Sequence, residues 1–327
     1  MSIEKQHYGN TGTQDVMRHT LTNDHGMSVS FIDYGARITA INVPDAQGQM
    51  ANVVLSLDSL ADYMADGSYL GAICGRTAGR IGEASFTLDG KTHHLTANNG
   101  KHTLHGGATS FSHVVWEVIE SGADANKAFV TFSYVSPHGE EGYPGTLKVG
   151  VTYTLDNKNQ LTTSYRGVTD RPTIVDLTNH SYFNLSGDPT QTIFDHHLQV
   201  ESDAFCELDP ELIPTGNMIS LDEFPPFDYR DGKYISPGID HPFWLAEDQD
   251  QIILTHPASG RSLIIDTDTP GVVIYTGNMM PEAIRHTAIC LETQGLPNAI
   301  NCPEFPEITL YPEETYQTRT TYKFDTI

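Results

Sequence analysis

The chain has 327 residues, of which 38% are hydrophobic and 18% charged, so it can bury a sizeable core. Its 42 acidic and 18 basic residues give a net charge of −24, and such a surface repels nucleic acid and anionic lipid, so neither is an expected partner. No apolar stretch approaches the ~20 residues of a membrane helix, no secretory leader opens the sequence, and the four cysteines form no CxxC pair; these features predict a cytoplasmic protein.

Short runs in which apolar and polar residues alternate predict β-strands along the whole chain. In chain order, the clearest of these runs are 28–32, 86–88, 129–135, 147–155, 252–254 and 272–275. Segments 58–64 and 280–284 favour short helices. Residues 86–95, FTLDGKTHHL, are predicted to form a hairpin, because Asp-Gly tolerates the positive φ angles of a type I′ turn.

No internal repeat, low-complexity stretch or linker divides the sequence. A long chain of short strands without a linker is most economically one large sandwich. We therefore predict an all-β protein in which residues 1–327 form a single domain of antiparallel sheets.

Polar residues concentrate where turns or strand ends are predicted. These segments are GRTAGRIG (75–82), NNGKHTLHGG (98–107), TNHSYFNL (178–185), GIDHPF (238–243) and CLETQGLPNAINCPEFP (290–306). Taken singly, each has an ordinary structural explanation: the arginines could pair with surface carboxylates, and a histidine could close a turn or fill the core. Their chemistry becomes specific only when they are taken together.

The sequence lacks the residues that several types of reaction need. The adjacent histidine pairs at 93–94 and 196–197 would point to opposite faces of a strand, and no HExxH motif or cysteine cluster is present, so we expect no metal. The sequence has no GxSxG elbow, no P-loop and no GxGxxG fingerprint. Acid–base chemistry by histidine and carboxylate, without a cofactor, remains.

A series of motifs, taken in chain order, resembles the galactose mutarotase (aldose 1-epimerase) family. These motifs are GRTAGRIG, FTLDGKTHHL, NNGKHTLHGG, HGEEGYPG, TNHSYFNLSG, LIPTG, GIDHPF, YTGN, LETQ and PNAINCPEFP. The resemblance runs from about residue 30 to the final TTYKF. It implies a galactose-mutarotase-like β-supersandwich of antiparallel sheets with a solvent-open sugar cleft. It also implies interconversion of the α and β anomers of free aldoses such as galactose and glucose.

The same resemblance implies the catalytic roles. Glu292 aligns with the general base, His180 with the general acid, and His105 with a second histidine that assists proton delivery or orients the sugar. His180 should carry a proton when the sugar binds, so burial should not strongly lower its pKa, and Glu292 should be ionised. Asn179 and Ser181 would hold the strand end that carries the imidazole.

The family pattern also implies the sugar-binding residues. Arg80, rather than Arg76, matches the arginine that donates to adjacent hydroxyls, and Asp240 matches the acid that accepts from hydroxyls on the far side of the ring. Tyr182 would form a wall of the cleft or belong to the core. Trp116 lies in the alternating run VVWEVI and is predicted to be structural.

Three positions depart from the family pattern. Gly79 stands where many members have asparagine, Val273 where many have glutamine, and Cys302 where histidine is frequent. These changes affect recognition, so an epimerase that prefers a reducing disaccharide such as maltose is the first alternative. The scarcity of basic residues disfavours a phosphorylated hexose.

Two further alternatives come from other functional classes. One is a non-catalytic sugar-binding protein of the same fold. The other is a glycoside hydrolase or polysaccharide lyase, for which Asp240 could supply the second carboxylate. The sequence leaves the oligomeric state open.

Overall fold

A computed structural model of the chain describes residues 1–246 and 250–327. Strands make up most of its regular structure. In chain order they are β1 Ser2–Asn10, β2 Asp15–Thr22, β3 Ser28–Ile32, β4 Arg37–Pro44, β5 Met50–Asn52, β6 Ile73–Cys74, β7 Arg80–Ile81, β8 Ser85–Leu88, β9 Lys91–His94, β10 Thr103–Leu104, β11 Glu117–Ala123, β12 Lys127–Ser136, β13 Leu147–Asp156, β14 Gln160–Thr169, β15 Thr173–Ile174, β16 Thr178–Asn179, β17 Tyr182–Phe183, β18 His197–Val200, β19 Ser202–Leu208, β20 Pro214–Ser220, β21 Lys233–Tyr234, β22 Asp240–Leu245, β23 Ile252–His256, β24 Arg261–Thr267, β25 Gly271–Tyr275, β26 Ile289–Gln294, β27 Thr309–Leu310 and β28 Tyr316–Thr326.

Helical structure is sparse in the described residues. The α-helix α1, Leu60–Ala65, begins where the Ser59 hydroxyl accepts a hydrogen bond from the amide of Asp62. Single turns of 3₁₀-helix occupy Gly82–Ala84, Phe111–His113, Glu140–Gly142, Ile193–Asp195, Pro225–Phe227, Glu282–Ile284 and Ala299–Asn301. No helix in the described part of the chain is long and apolar enough to cross a membrane.

Three large sheets carry the fold. Their strand orders are β1-β2-β3-β4-β5, β11-β12-β13-β14-β28-β24-β23-β18-β21 and β17-β26-β25-β22-β19-β20. Four two-stranded pieces, β10-β7, β15-β27, β16-β6 and β8-β9, complete the described ladders. Every ladder between named strands is antiparallel. The predicted all-β, antiparallel class is confirmed.

The sheets share one hydrophobic core because each strand alternates buried and less buried residues. In β13, LKVGVTYTLD, every second side chain from Leu147 onward is buried. Phe31 of the five-stranded sheet, Leu263 of the nine-stranded sheet and Leu291 of the six-stranded sheet belong to the same buried cluster. Burial of this cluster holds the three sheets together.

The predicted elements agree with the observed ones, with small differences. All six predicted strands fall within observed strands, and the 86–95 hairpin is β8 and β9, whose turn residues Asp89 and Gly90 both have positive φ. Segment 58–64 overlaps α1, whereas segment 280–284 contains only a 3₁₀ turn. Trp116 precedes β11 and is buried; its indole nitrogen donates to the carbonyl of Phe111 over 2.9 Å, so its structural role is confirmed.

One face of the six-stranded sheet points away from the core. On this face, strand pairing aligns the rows Glu292–Val273–Pro242 and Cys290–Tyr275–Asp240. The intervening residue Leu291 packs in the core. This register places residues from β26, β25 and β22 side by side on the floor of a cavity.

Candidate active site

A cavity of ≈ 240 Å³ opens above this sheet face. All six residues predicted to act on substrate contribute to its lining, which includes Arg80, His105, His180, Tyr182, Asp240 and Glu292. They come from separate parts of the chain, and the strand pairing described above brings several of them together. Their convergence makes this cavity the candidate active site.

Glu292 is held on the floor by the centre of β26. Its Oε1 lies 3.5 Å from Nε2 of His180, and its Oε2 is buried with no hydrogen-bond partner among the described residues. Burial raises the pKa of Glu292 well above its ordinary value; the charge of Asp240 raises it further, and Arg80 opposes both effects. The unpartnered oxygen is an acceptor, or when protonated a donor, available to a bound molecule.

His180 is fixed by a short network at the end of β16. The side-chain amide of Asn179 donates to the carbonyl of Gly71 over 2.8 Å, and the Ser181 hydroxyl donates to Asn179 Oδ1 over 2.6 Å. The ring of Tyr182 stacks on the imidazole, with centroids 5.0 Å apart. These contacts agree with the predicted supporting roles of Asn179 and Ser181.

The prediction that burial does not strongly lower the pKa of His180 is wrong. Burial lowers the pKa of His180 to about 4, an effect only partly offset by its own backbone carbonyl. Because the His180 pKa falls and the Glu292 pKa rises, burial favours the uncharged form of both groups. The sequence could not reveal this desolvation, since it depends on how deeply the cavity lies in the fold.

His105 lies beside His180 in the cavity. Their ring centroids are 5.2 Å apart, and Nδ1 of His105 accepts a hydrogen bond from the amide of Gly79 over 3.2 Å. This bond leaves the proton of the neutral His105 ring on Nε2. Tyr69 was missed by the sequence analysis. Its ring centroid lies 4.7 Å from that of His105 and 6.0 Å from that of His180.

Arg80 and Asp240 bring opposite charges to the same cavity. Arg80 Nε donates to Asn99 Oδ1 over 3.2 Å. Burial raises the pKa of Asp240, while the charge of Arg80 lowers it. Arg76 has a different role: it is buried and donates to the carbonyls of Pro137 and Pro144, so it is structural, and it pairs with no carboxylate in the described part of the chain.

The three departures from the family pattern are not equivalent. Gly79 and Val273 line the cavity, whereas Cys302 lies outside its lining, with Sγ 3.7 Å from the carbonyl of Pro214. A Cβ on Gly79 would come within 2.7 Å of Pro297, so this site has no room for a side chain unless Pro297 moves. Gln294, to which the sequence analysis gave no role although it quoted LETQ, also lines the cavity, and its buried Oε1 has no partner among the described residues.

Among residues 1–246 and 250–327, two groups of side chains bring potential metal-ligand atoms within 4.8 Å of one another, His105–His180–Glu292 and Asp195–His196–His256. In the second group, His196 bonds to Asp195 and to the amide of Leu185, and His256 bonds to Asp195 and Ser259, so all four ring nitrogens are engaged. In the first group, the amide of Gly79 donates to Nδ1 of His105, so the proton of the neutral His105 ring lies on Nε2. These hydrogen bonds suit proton chemistry better than metal ligation.

Known proteins resemble this chain over nearly its whole length. A model of the family described as aldose 1-epimerase matches residues 17–323. The chain is 42% identical over 335 residues to a Bos taurus protein named galactose mutarotase, which covers 96% of this chain and 95% of that one. It is 31% identical to an Escherichia coli K12 protein named aldose 1-epimerase, over 93% and 94% of the two chains. The crystal structure of galactose 1-epimerase from Lactobacillus acidophilus NCFM has a TM-score of 0.89 and 29% identity, with 99% of each chain covered, which confirms the predicted fold.

Proposed function

This chain belongs to the aldose 1-epimerase family, and we propose that it interconverts the α and β anomers of free aldoses such as galactose and glucose. Support for the reaction comes from relatives that carry this activity in their names and match nearly the full length. Support for the site comes from a carboxylate and an imidazole that meet in one cavity.

The reaction needs one base and one acid on the two sides of a hemiacetal. The base removes the proton from the C1 hydroxyl while the acid protonates the ring oxygen, and the C1–O5 bond breaks to give the open aldehyde. Rotation about C1–C2 exposes the other face of the carbonyl, and the ring closes with the two groups in exchanged roles. Catalysis of this kind contributes ~10²- to 10⁴-fold.

The contact between Glu292 Oε1 and His180 Nε2, 3.5 Å long, carries the assignment of roles. We assign Glu292 as general base and His180 as general acid, because one pyranose can contact both groups. Burial shifts their pKa values in opposite directions, and both shifts favour a protonated Glu292 carboxyl, with one exchangeable proton, beside a neutral imidazole. Transfer of that proton from carboxyl to imidazole produces the charged form required for ring opening, which sugar hydroxyls and Arg80 would stabilise.

The remaining lining residues would bind and orient the sugar. His105 would hold its Nε2 proton toward the ring, Arg80 would donate to adjacent hydroxyls, and Asp240 would accept from hydroxyls on the far side. Tyr182 would form the wall behind His180, on which its ring stacks.

Polarimetry of freshly dissolved α-galactose and α-glucose tests the proposal. We expect protein-dependent acceleration of the change in optical rotation. Glu292→Gln and His180→Asn should each lower kcat by ~10²-fold or more, because each removes one proton-transfer partner.

Matched controls separate chemistry from general effects of substitution. Glu4→Gln and His25→Asn make the same changes at exposed positions and should keep the wild-type rate. Full activity in both site variants would contradict the assigned roles. Sugar binding by calorimetry without any anomeric acceleration would instead support a non-catalytic sugar-binding protein.

The sugar preference follows from the cavity floor. Val273 presents an apolar surface beside Glu292 where it offers no hydrogen bond to a hydroxyl. Rates measured with galactose, glucose and maltose would rank the candidates, and a higher kcat/KM for maltose would support the disaccharide alternative.

We also propose that residues 1–327 act as one domain in the cytoplasm. Cys74, Cys206, Cys290 and Cys302 are all buried free thiols. Unpaired thiols suit a reducing compartment.

A further inference from the structure

A buried thiol contacts the side of the His180 ring that faces away from Glu292. Cys290 Sγ lies 3.5 Å from Nδ1 of His180, within hydrogen-bonding distance for sulfur, and both residues are buried. Cys290 is the only side chain among residues 1–246 and 250–327 that bonds to this nitrogen. The two ring nitrogens of His180 therefore have separate environments, Cys290 at Nδ1 and Glu292 at Nε2.

We propose that Cys290 is a positioning residue that keeps Nδ1 of His180 hydrogen-bonded in every protonation state, so that Nε2 can hold, release and regain a proton. This inference rests on the proposed function, in which His180 exchanges a proton with the sugar. It assigns a role to a cysteine two residues before the proposed base and on the same face of β26.

The partner of one imidazole nitrogen determines where the proton of the neutral ring resides. A carbonyl or carboxylate at Nδ1 can only accept, so it would hold the neutral ring's proton on Nδ1. A thiol both donates and accepts, although weakly. As an acceptor it likewise holds the neutral ring's proton on Nδ1, so that Nε2 is unprotonated and can take the proton of Glu292.

The same thiol serves the later steps without moving. When His180 is an imidazolium, Nδ1–H donates to the sulfur and Nε2–H remains available to the sugar ring oxygen. After Nε2 has released its proton, Nδ1–H still donates to the sulfur and Nε2 can accept a proton during ring closure. Nδ1 keeps its proton in each state, and no proton is gained or lost by Cys290.

The position of β26 makes this arrangement possible. Tyr182 pairs with Cys290 across the β17–β26 ladder, and its ring covers one face of the imidazole. The register that places Glu292 beside Nε2 therefore also places Cys290 beside Nδ1. Other titratable groups near the ring are His105, Tyr69 and Tyr182, and Asp66 and Arg37 act on it at longer range.

Serine and alanine at position 290 form the decisive comparison. Both are smaller than cysteine, but only serine can donate and accept at Nδ1. Cys290→Ala should lower kcat by about 10-fold, by analogy with loss of a hydrogen-bond partner that orients a metal-ligating histidine, with a smaller change in KM. Cys290→Ser should recover most of this loss.

The pH profile of kcat provides a second readout. In Cys290→Ala the imidazolium loses its acceptor at Nδ1, so the acid limb should move to lower pH; in Cys290→Ser it should not. This limb reports the coupled Glu292–His180 pair, which is the same in both variants. Cys206→Ala, at a buried cysteine outside the cavity lining, should leave both kcat and the profile unchanged.

Nitrogen-15 NMR of the histidine side chains tests the inference without sugar or turnover. In the wild type at neutral pH, we expect His180 to show a protonated Nδ1 and an unprotonated Nε2, and Cys290→Ala should shift this tautomer ratio. A wild-type neutral ring protonated on Nε2, or equal kcat, pH profile and tautomer ratio in the alanine and serine variants, would overturn the proposal. If the wild type failed to accelerate mutarotation while the tautomer shift occurred, the proposed function would fail and the positioning contact would stand.

Discussion

Buried polar side chains in this protein differ in whether they have hydrogen-bond partners. Arg76 is buried but donates to several oxygens, among them the carbonyls of Pro137 and Pro144, and so its burial is compensated. Glu292 Oε2 and Gln294 Oε1 have no partner among the described residues, and both residues line the candidate active site. An unsatisfied buried polar atom costs about 1–3 kcal/mol, so its presence in a ligand cavity is consistent with a site prepared for a polar sugar.

His19, which lies outside the candidate active site, also has buried polar atoms without hydrogen-bond partners. Both of its ring nitrogens are buried without a partner among the described residues, and burial lowers its pKa to about 4. We expect His19→Leu to stabilise the protein by about 1–3 kcal/mol, because it removes the unsatisfied atoms. Urea unfolding monitored by circular dichroism measures this change.

The stabilisation by His19→Leu should depend on pH with a definite sign. The unfolded chain binds a proton on His19 near pH 6.5, whereas the folded protein binds it only near pH 4, so the wild type loses stability from this group as the pH falls across that window. The leucine variant lacks this loss, so its advantage should be larger at pH 5 than at pH 8. An equal or smaller advantage at pH 5 would contradict the pKa direction.

At the level of elements, strand pairing and one tight turn position the proposed catalytic groups. The β26 register aligns Glu292 with Val273, and the β16–β6 pairing holds the strand end from which His180 projects. His105 instead depends on a turn in which it and Gly106 both have positive φ. A side chain on Gly106 would collide with the carbonyl oxygen of Gly75, so only glycine fits this turn.

Gly106→Ala should therefore displace His105. We expect a loss of about 2–4 kcal/mol in stability, from left-handed backbone strain and overpacking together, and a fall in kcat of about 10-fold or more. Urea unfolding and polarimetry measure the two effects.

Gly100→Ala is the matched control in the same segment. Gly100 also has positive φ, but a Cβ there meets no atom within 4 Å. This variant should lose only about 1 kcal/mol of stability and keep its activity. Equal activity losses in the two variants would show that the turn around His105 is not specifically required.

At the scale of the whole molecule, one buried cluster spans the three large sheets. Phe31, Leu263 and Leu291 each come from a different sheet and belong to that cluster. Separation of one sheet from the others would expose the apolar face of both parts. The shared core thus supports the proposal that residues 1–327 form one domain.

Equilibrium unfolding should accordingly show a single cooperative transition. Trp116 is buried and packs in the shared core, whereas Trp244 is partly exposed on the six-stranded sheet, so tryptophan fluorescence samples two regions. We expect fluorescence and far-ultraviolet circular dichroism to give coincident urea transitions. Two separated transitions would divide the chain into independently folding units.

The sequence alone identified much of the fold and the candidate site. Alternating apolar residues predicted strands such as β13, because a period of two is a local property of the chain. The β8–β9 turn was equally local, since Asp89 and Gly90 carry their own conformational preference. The motifs around His180 and Glu292 were recognised because they lie in short, ordered segments that resemble one family.

Only the tertiary structure decided how these residues interact. The pairing of β17 with β26 brings Cys290 against Nδ1 of His180, and the cavity depth removes water from His180 and Glu292, which shifts their pKa values in opposite directions. Tyr69 enters the site from a loop that carried no sequence signal. Contacts between distant segments and loss of solvent are properties of the assembled sheets, whereas strand periodicity and turn chemistry are properties of neighbouring residues.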